Sequence, residues 1–425
     1  MEKSYRLICI SSSSRHNKFW FCDIYPDGRE HRRWGRVGAK GQQKTFERGS
    51  LQVALRKAAS TANSKLYPRG SREPYTELDL VESQVNAIMT GASLEDITVS
   101  QINTNSTQLK SLIKFLVRQN IHNITARTQI TYTNGQLKTP LGVVSRQAIS
   151  KARGYLARIS GYVQKQRQNS PRFVSLVEDY MRVIPLAIGS SGFDAVAIFP
   201  GIKAVQEQID ILDAMDVVLS NGGAQVATAD QTTEKVFDVS LEILTDRDEI
   251  VRIKKLYEST ARRGHRSYNL KVKAVYTLSV GPADTAFESD GRKVGNIHET
   301  WHGTKDAHLL SILKGGLVIV PSSAGHTTGR MYGDGLYSSH VSTKALNYAT
   351  DYWGGRSSKR AFMLLCETAL GRHYEPRSSS EVCNVRQAPR GYNSVWAKPG
   401  RELINDEVIV YRASQMRIKY LVEFE

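Results

Sequence analysis

The densest group of side chains able to do chemistry near the start of the chain is Arg32-Arg33-Trp34-Gly35-Arg36-Val37-Gly38, continued by Lys40, Gly41-Gln42 and Lys44. Guanidinium and ammonium groups donate hydrogen bonds to phosphate oxygens, and an indole can stack on an exposed base or sugar. The intervening glycines allow close approach of the backbone. Arg32, Arg33, Trp34, Arg36, Lys40 and Lys44 are therefore candidate nucleic-acid contacts, although a lone Trp on a hairpin is more often part of a small-domain core. Metal chemistry has little support: Cys9, Cys22, Cys366 and Cys383 stand far apart with no CxxC pair, and His302 and His308 lack a third ligand nearby. No metal is expected. A dinucleotide-binding dehydrogenase is also disfavoured, because Gly333-x-Gly335 lacks the third glycine and the helix start that cradle a pyrophosphate.

Charge is unevenly distributed along the 425 residues, whose formal net charge is +17. Residues 1–80 hold 16 Lys/Arg against 8 Asp/Glu, and residues 101–180 hold 12 against 2. A polyanion is thus expected to meet the first half of the chain, with a merely solvated basic surface as the open alternative. A composition of 40% hydrophobic and 23% charged residues, with no bilayer-length apolar run and no leader at Met1, predicts an intracellular, water-soluble chain of two to four domains and no membrane partner.

The elements that must position these groups fall into three segments. Alternating apolar positions around Phe19–Tyr25, a Pro26-Asp27-Gly28 turn and a strand ending near Trp34 read as a β-hairpin. Leu51 to Leu66 has helical spacing, and a Ser/Thr/Asn-rich stretch then reads as a linker. Helical stripes follow at Leu109–Val117, Ile149–Val163, Phe173–Met181 and Val205–Leu219, with an Asn134-Gly135 hairpin inserted after the first. After Asn221-Gly222-Gly223 the period becomes two, with strands predicted near 237–244, 270–280, 361–369, 408–411 and 416–424 and a helix at 307–313. The expected fold class is multidomain α+β: a small β-rich domain at 1–90, a linker at 91–104, an all-α helical bundle at 105–222, and a mixed α/β domain with antiparallel strands at 223–425.

Three sets of motifs, in order, resemble the DNA-dependent branch of the poly(ADP-ribose) polymerase family. Trp34-Gly35-Arg36, preceded by Asn17-Lys18-Phe19-Trp20, is similar to the WGR domain; the resemblance implies that Trp34 and Arg36 meet a terminal nucleotide and a phosphate at a DNA end or nick. After Lys65 the match weakens, with only Tyr75 as a counterpart of the family's second aromatic. Thr139-Pro140-Leu141-Gly142, Val183-Ile184-Pro185 and 205–212 resemble the family's regulatory helical domain, which hinders substrate binding until DNA engages. Trp301-His302-Gly303-Thr304, Gly333-Asp334-Gly335-Leu336-Tyr337 and Asn405-Asp406-Glu407 resemble the His-Tyr-Glu signature of the catalytic domain.

That resemblance implies NAD+ as substrate and assigns roles. His302 would hold an adenine-side ribose hydroxyl, Gly303 the nicotinamide carboxamide, and Tyr337 and Tyr348 the nicotinamide ring, with Lys344 lining the pocket. Glu407 would place negative charge beside the ribosyl cation that develops as the glycosidic bond breaks. Ala345 stands where the family commonly has a serine, Val318 where an arginine is frequent and His308 where an amide is common. Implied partners are DNA ends or nicks, protein acceptors including the chain itself, and an accessory factor for acceptor choice. The implied location is the nucleus in a eukaryote. Three readings stay open: polymer synthesis, mono-ADP-ribosyl transfer, and a catalytically weak DNA-binding scaffold.

Overall fold

The computed structural model describes residues 1–11, 16–37, 41–70, 72–77, 94–102, 104, 106–128, 130–133, 136–139, 142–186, 193–223, 237–319, 331–350, 360–383, 385–400 and 402–425. Lys40 and the Asn134-Gly135 turn lie outside these residues. A small β-rich N-terminal region, a helical middle and a mixed α/β C-terminal region follow one another along the chain. Compactness groups them into two units, Met1–Met89 with Ile124–Leu219, and Thr90–Asn123 with Ser220–Glu425.

In the first unit, strands β1 (Lys3–Ser11), β2 (His16–Ile24), β3 (Arg29–Arg36), β4 (Gln42–Glu47) and β5 (Thr76–Glu77) form an antiparallel sheet in the order β4-β3-β2-β1-β5. Helix α1 (Leu51–Leu66) is capped by the Ser50 side chain, which accepts from the Val53 N–H. Ala54, Ala58 and Ala62 then form a stripe of small residues that lies close against Leu7, Trp20, Cys22 and Ile24. Gly28 makes the turn between β2 and β3 at φ +82°, and a Cβ there would stand 2.8 Å from the Ser50 carbonyl carbon.

Glu30 is fully buried on the α1 face of β3 and is held by Arg32 and by Arg48, whose Nε lies 2.6 Å from Oε2. Burial and this carboxylate together push the Cys22 thiol up to about 12. Removing the carboxylate leaves two half-buried guanidinium groups facing each other. Glu30→Ala should therefore lower stability by about 3–5 kcal/mol, read as a shift of the denaturant midpoint.

The remainder of this unit holds a three-stranded sheet of β6 (Thr131–Thr133), β7 (Gln136–Thr139) and β8 (Gly142–Val143), and four helices. Thr133 pairs with Gln136 where β6 and β7 run antiparallel. Ser145 and Ser170 cap α4 (Arg146–Gln164) and α5 (Pro171–Val183). Their stripes, Ile149-Ala152-Leu156-Ile159-Val163 and Phe173-Leu176-Val177-Tyr180-Met181, are buried as the helical period predicts. The short α6 (Ala195–Ile198) and α7 (Ile202–Gly223) follow, and the Tyr180 hydroxyl donates to Gln208 Oε1 of α7 at 2.8 Å.

The second unit begins with a correction. The stretch expected as a linker at 91–104 contains a helix, α2 (Leu94–Ile102). Its Ser/Thr-rich composition hides a buried pair, Thr98 and Ile102, while Glu95 and Asp96 sit in the first turn and pair with Arg118 and Lys114 of α3 (Thr107–Arg127). The unit division falls within α3 after Asn123. Up to that residue α3 belongs with the C-terminal sheet: Phe115 packs 5.9 Å from Phe362, and the buried Asn120 amide donates to the Ala307 carbonyl at 3.5 Å.

Five strands, β9 (Val239–Ile243), β10 (Val272–Val280), β11 (Ile297–Gly303), β13 (Ala361–Ala369) and β17 (Met416–Phe424), form a sheet in the order β11-β13-β17-β10-β9. A second sheet runs β12-β16-β15-β14, from β12 (Leu336–Ser338), β16 (Glu407–Val410), β15 (Ser394–Ala397) and β14 (His373–Tyr374). Helix α8 (Arg247–Thr260), the short α9 (Gly281–Ala286) and α10 (Arg292–Val294), α11 (Asp306–Gly315) and α12 (Ser342–Ala349) complete it. The two sheets are tied together where Trp301 of β11 exchanges main-chain hydrogen bonds of 2.9 and 3.0 Å with Ser339. No helix among the described residues is long and apolar enough to cross a membrane.

Candidate active site

Strand alternation turns Trp301 into the core, edge-on to Tyr257 at 6.3 Å, and its neighbour His302 to the opposite side. His302 Nδ1 lies 2.7 Å from the Tyr337 carbonyl oxygen. A carbonyl only accepts, so Nδ1 carries the proton. Burial pulls the pKa of this imidazole below its usual value, so the ring is neutral and Nε2 presents a lone pair.

Tyr337 lies in β12 opposite Ile409 of β16. Its hydroxyl donates to the Gly333 carbonyl at 2.7 Å and accepts from the Tyr332 N–H at 3.0 Å, which anchors the ring at its far end. Gly333 supplies the turn at φ +88°, where a Cβ would press within 2.5 Å of the Val385 carbonyl.

Helix α12 brings Lys344 and Tyr348, four residues apart, onto one face. Lys344 Nζ bonds Glu407 Oε1 at 2.8 Å and donates to the Asp406 carbonyl at 2.6 Å. Burial draws the ammonium's pKa down, against the opposing pull of Glu407. Burial, with Glu407 second, pushes the Tyr348 phenol up to about 12. Glu407 opens β16 and is 7% exposed; its Oε2 is buried and has no hydrogen-bond partner among the described residues. An ionised oxygen in that state is a strong acceptor awaiting a donor. Gly303 closes the arrangement, because a Cβ there would lie 1.7 Å from the Ala345 carbonyl oxygen of α12.

His302, Gly303, Tyr337, Lys344, Tyr348 and Glu407 are thus gathered into one region by β11, β12, α12 and β16. Of the three departures from the family pattern, His308 Nδ1 stands 3.3 Å from Thr304 Oγ1, Ala345 is buried and Val318 is 61% exposed. Asp406 received no role from the sequence. In the fold it is buried, and Ser339, His340 and Trp396 all hydrogen-bond its carboxylate. Asp406, a strongly polar residue immediately before the signature glutamate, was the available signal.

Among the nucleic-acid candidates of the first unit, Arg36 and Lys44 are exposed, and Arg36 faces the exposed Lys18 across β2 and β3. Arg33 stacks 5.3 and 5.4 Å from the Phe19 and Phe21 rings. Trp34 is half-buried and packs against the α1 core, and Arg32 is committed to Glu30 and to Thr61. Burial, followed by Arg32 and Lys18, lowers the Lys65 pKa, the sign of cations crowded at this end of the sheet. No group of three or more His, Cys, Asp or Glu side chains among the described residues is placed to hold a metal ion.

Comparison with known families gives three consecutive matches: the WGR domain at residues 4–74, the regulatory domain of poly(ADP-ribose) polymerase at 103–236 and its catalytic domain at 247–403. The catalytic match ends short of Glu407, so that residue's place rests on its pairing with Lys344 and on β16. Similar curated proteins include poly [ADP-ribose] polymerase 1 of Xenopus laevis, 23% identical over 99% of this chain and 44% of its own length. Poly [ADP-ribose] polymerase 1 of Gallus gallus is 23% identical over 99% of this chain and 43% of its own length. Poly [ADP-ribose] polymerase 2 of Zea mays is 25% identical over 92% and 65%. The chain spans less than half the length of the frog and chicken relatives. With WGR, regulatory and catalytic domains in this order, the chain belongs to the poly(ADP-ribose) polymerase family.

Proposed function

We propose that the chain cleaves NAD+, releases nicotinamide and transfers ADP-ribose to protein acceptors, itself included, in response to DNA ends or nicks. The observation that carries this reading is Glu407, buried with one carboxylate oxygen on Lys344 and the other without a partner among the described residues, on the strand that pairs with that of Tyr337, whose carbonyl holds His302. His302 Nε2 accepts a hydroxyl of the adenine-side ribose, which positions the dinucleotide without transferring a proton. Tyr337 and Tyr348 stack on the cationic pyridinium. Glu407 Oε2 accepts from a hydroxyl of the nicotinamide-side ribose and sets its charge beside C1′ as the glycosidic bond breaks. The bonding pair leaves with the ring nitrogen, and neutral nicotinamide departs. An acceptor oxygen bonds to C1′ and loses its proton to water.

Incubation with NAD+ labelled in its adenosine half, with and without a nicked duplex, tests this reading on a gel. A ladder that intensifies with DNA supports polymer synthesis. A single addition supports mono-ADP-ribosyl transfer, the second reading, which the buried methyl of Ala345 in place of a hydroxyl favours. No label transfer contradicts both and leaves a DNA-binding scaffold.

The DNA side of the proposal rests on the exposed cations of β3 and β4 and on the WGR match. It also gives the chain a nuclear location in a eukaryote. Arg36→Ala with Lys44→Ala should weaken binding to all sequences alike and lower the salt dependence of log K by about one unit for each phosphate that is no longer neutralised. An unchanged salt slope removes these residues from the interface. Trp34 is a poorer probe, since its truncation also opens the α1 core. The helices matched by the regulatory family restrain the catalytic region until DNA is bound.

A further inference from the structure

Beside Glu407, a chain of three hydrogen bonds runs from buried Asp406 to an exposed asparagine. Asp406 Oδ2 meets His340 Nδ1 at 2.6 Å, His340 Nε2 meets His298 Nδ1 at 3.2 Å, and His298 Nε2 meets Asn296 Oδ1 at 3.1 Å. Both ends are acceptors. The Asn296 amide is fixed in orientation because its Nδ2 donates to the Gly371 carbonyl at 3.0 Å, and an inverted amide would set two oxygens against each other. At the other end, burial would raise the Asp406 pKa, but hydrogen bonds from His340 and Ser339 outweigh it and hold the carboxyl at about 2.

Three hydrogen bonds between four heavy-atom groups with acceptors at both ends need three protons on the ring nitrogens. Two neutral imidazoles bring only two. We propose that His298 and His340 together hold one additional proton at neutral pH, and that the resulting imidazolium fixes Asp406 as the positioning residue of Glu407.

The surroundings place the charge on His340. His340 touches the carboxylate and lies 4.7 Å from the Trp396 ring at 30°, a face that attracts a cation. Burial, and then His340, His373 and Lys398, lower the pKa of His298. Among the described residues, the other charged groups near the pair have partners: Lys398 Nζ, 3.0 Å from the Trp396 centroid, pairs with Glu375; His373 also bonds Glu375; and Lys344 pairs with Glu407. Asp406 is left for the imidazolium. Its carbonyl in turn receives Lys344 Nζ at 2.6 Å and Ser339 Oγ at 3.0 Å, so the carboxylate's anchor sets where Lys344 meets Glu407.

The proton count stands on geometry alone, whereas the role toward Glu407 rests on the NAD+ reading above. Two measurements on the full chain separate them. In the first, the protein is labelled with 15N-histidine, and the rings of His298 and His340 are assigned by their loss in His298→Phe and His340→Gln. The expected result at pH 7.5 is one of these two rings protonated on both nitrogens, with His298→Phe moving its deprotonation down by about one pH unit as the acceptor for Nε2–H disappears. Two singly protonated rings in the wild type overturn the shared proton, whatever the enzyme does.

The second measurement follows NAD+ consumption against pH. The expected result is an alkaline fall in kcat with KM nearly constant, which moves to lower pH in His298→Phe. In Asp406→Asn, kcat is expected to drop roughly 10- to 100-fold with the pH dependence flattened. A shared proton seen by NMR with an alkaline limb that does not move in His298→Phe overturns the positioning role. A wild-type chain that consumes no NAD+ overturns the catalytic reading and with it that role, while the proton count is decided by the first measurement.

Discussion

Glu407→Gln should reduce ADP-ribose transfer by about 10²- to 10³-fold, the usual loss when one preorganised electrostatic group is removed from a transition state. The shape of the side chain is kept, and Lys344 retains the Asp406 carbonyl, so NAD+ binding should change only a few-fold. What disappears is the carboxylate's negative charge, shared with Oε2, the buried oxygen that has no partner among the described residues. The effect should therefore fall on kcat rather than KM. The check is a rate of label transfer at saturating NAD+; unchanged product length and rate in the variant would remove Glu407 from the chemistry.

Gly303→Ala should be the most damaging single methyl in the catalytic region. The added Cβ would lie 1.7 Å from the Ala345 carbonyl oxygen and 2.6 Å from its carbon, both main-chain atoms that no rotamer change can clear. Helix α12 must shift, and it carries Lys344 and Tyr348. A loss of about 1–3 kcal/mol of stability and roughly 100-fold of turnover is expected, from thermal unfolding and from NAD+ consumption. Gly264→Ala is the matched control, since nothing lies within 4 Å of its Cβ position. If both variants unfold and turn over alike, the close approach of β11 to α12 is not a feature of the working enzyme.

Local periodicity made much of this fold legible. The helix at Leu51–Leu66 and the strands Ala361–Ala369 and Met416–Phe424 coincide with the bounds expected from sequence, although Ala361–Ala369, a central strand of its sheet, is an apolar run buried on both faces rather than the half-buried alternation expected. The signature residues were legible because their types and order are specific. Helix α2 was not, since it is short and followed by a Ser/Thr/Asn run that reads as a linker, and its anchors, Arg118 and Lys114, lie on another helix. Nor could a stripe of apolar residues reveal which neighbour it faces: α3 reads as one element of a bundle, yet the unit division falls inside it.

The charged residues divide for the same reason. Arg32 and Arg36 are alike in sequence and lie on one strand, but a buried Glu30 takes Arg32 inward and leaves Arg36 to solvent. Whether a cation serves an interior carboxylate or a ligand is decided by tertiary burial, to which composition is blind. The chain from Asp406 to His340 and His298 spans separations of 66 and 42 residues, so no local pattern announces it. The family match has the same limit at its edge, ending at residue 403 while Glu407 lies beyond it.

The central claim is that the carboxylate of Glu407 faces the ribosyl carbon of bound NAD+ as its bond to nicotinamide breaks. It is tested most directly by supplying NAD+ labelled in both the pyridine ring and the adenosine half to the wild-type chain and to Glu407→Gln, with nicked DNA present, and measuring free nicotinamide and protein-bound label over time. Release by the wild type in step with ADP-ribose appearing on protein, and loss of that transfer in the variant, is the predicted result. No release of nicotinamide by the wild type, or equal nicotinamide release and equal ADP-ribose transfer by both proteins, would contradict it.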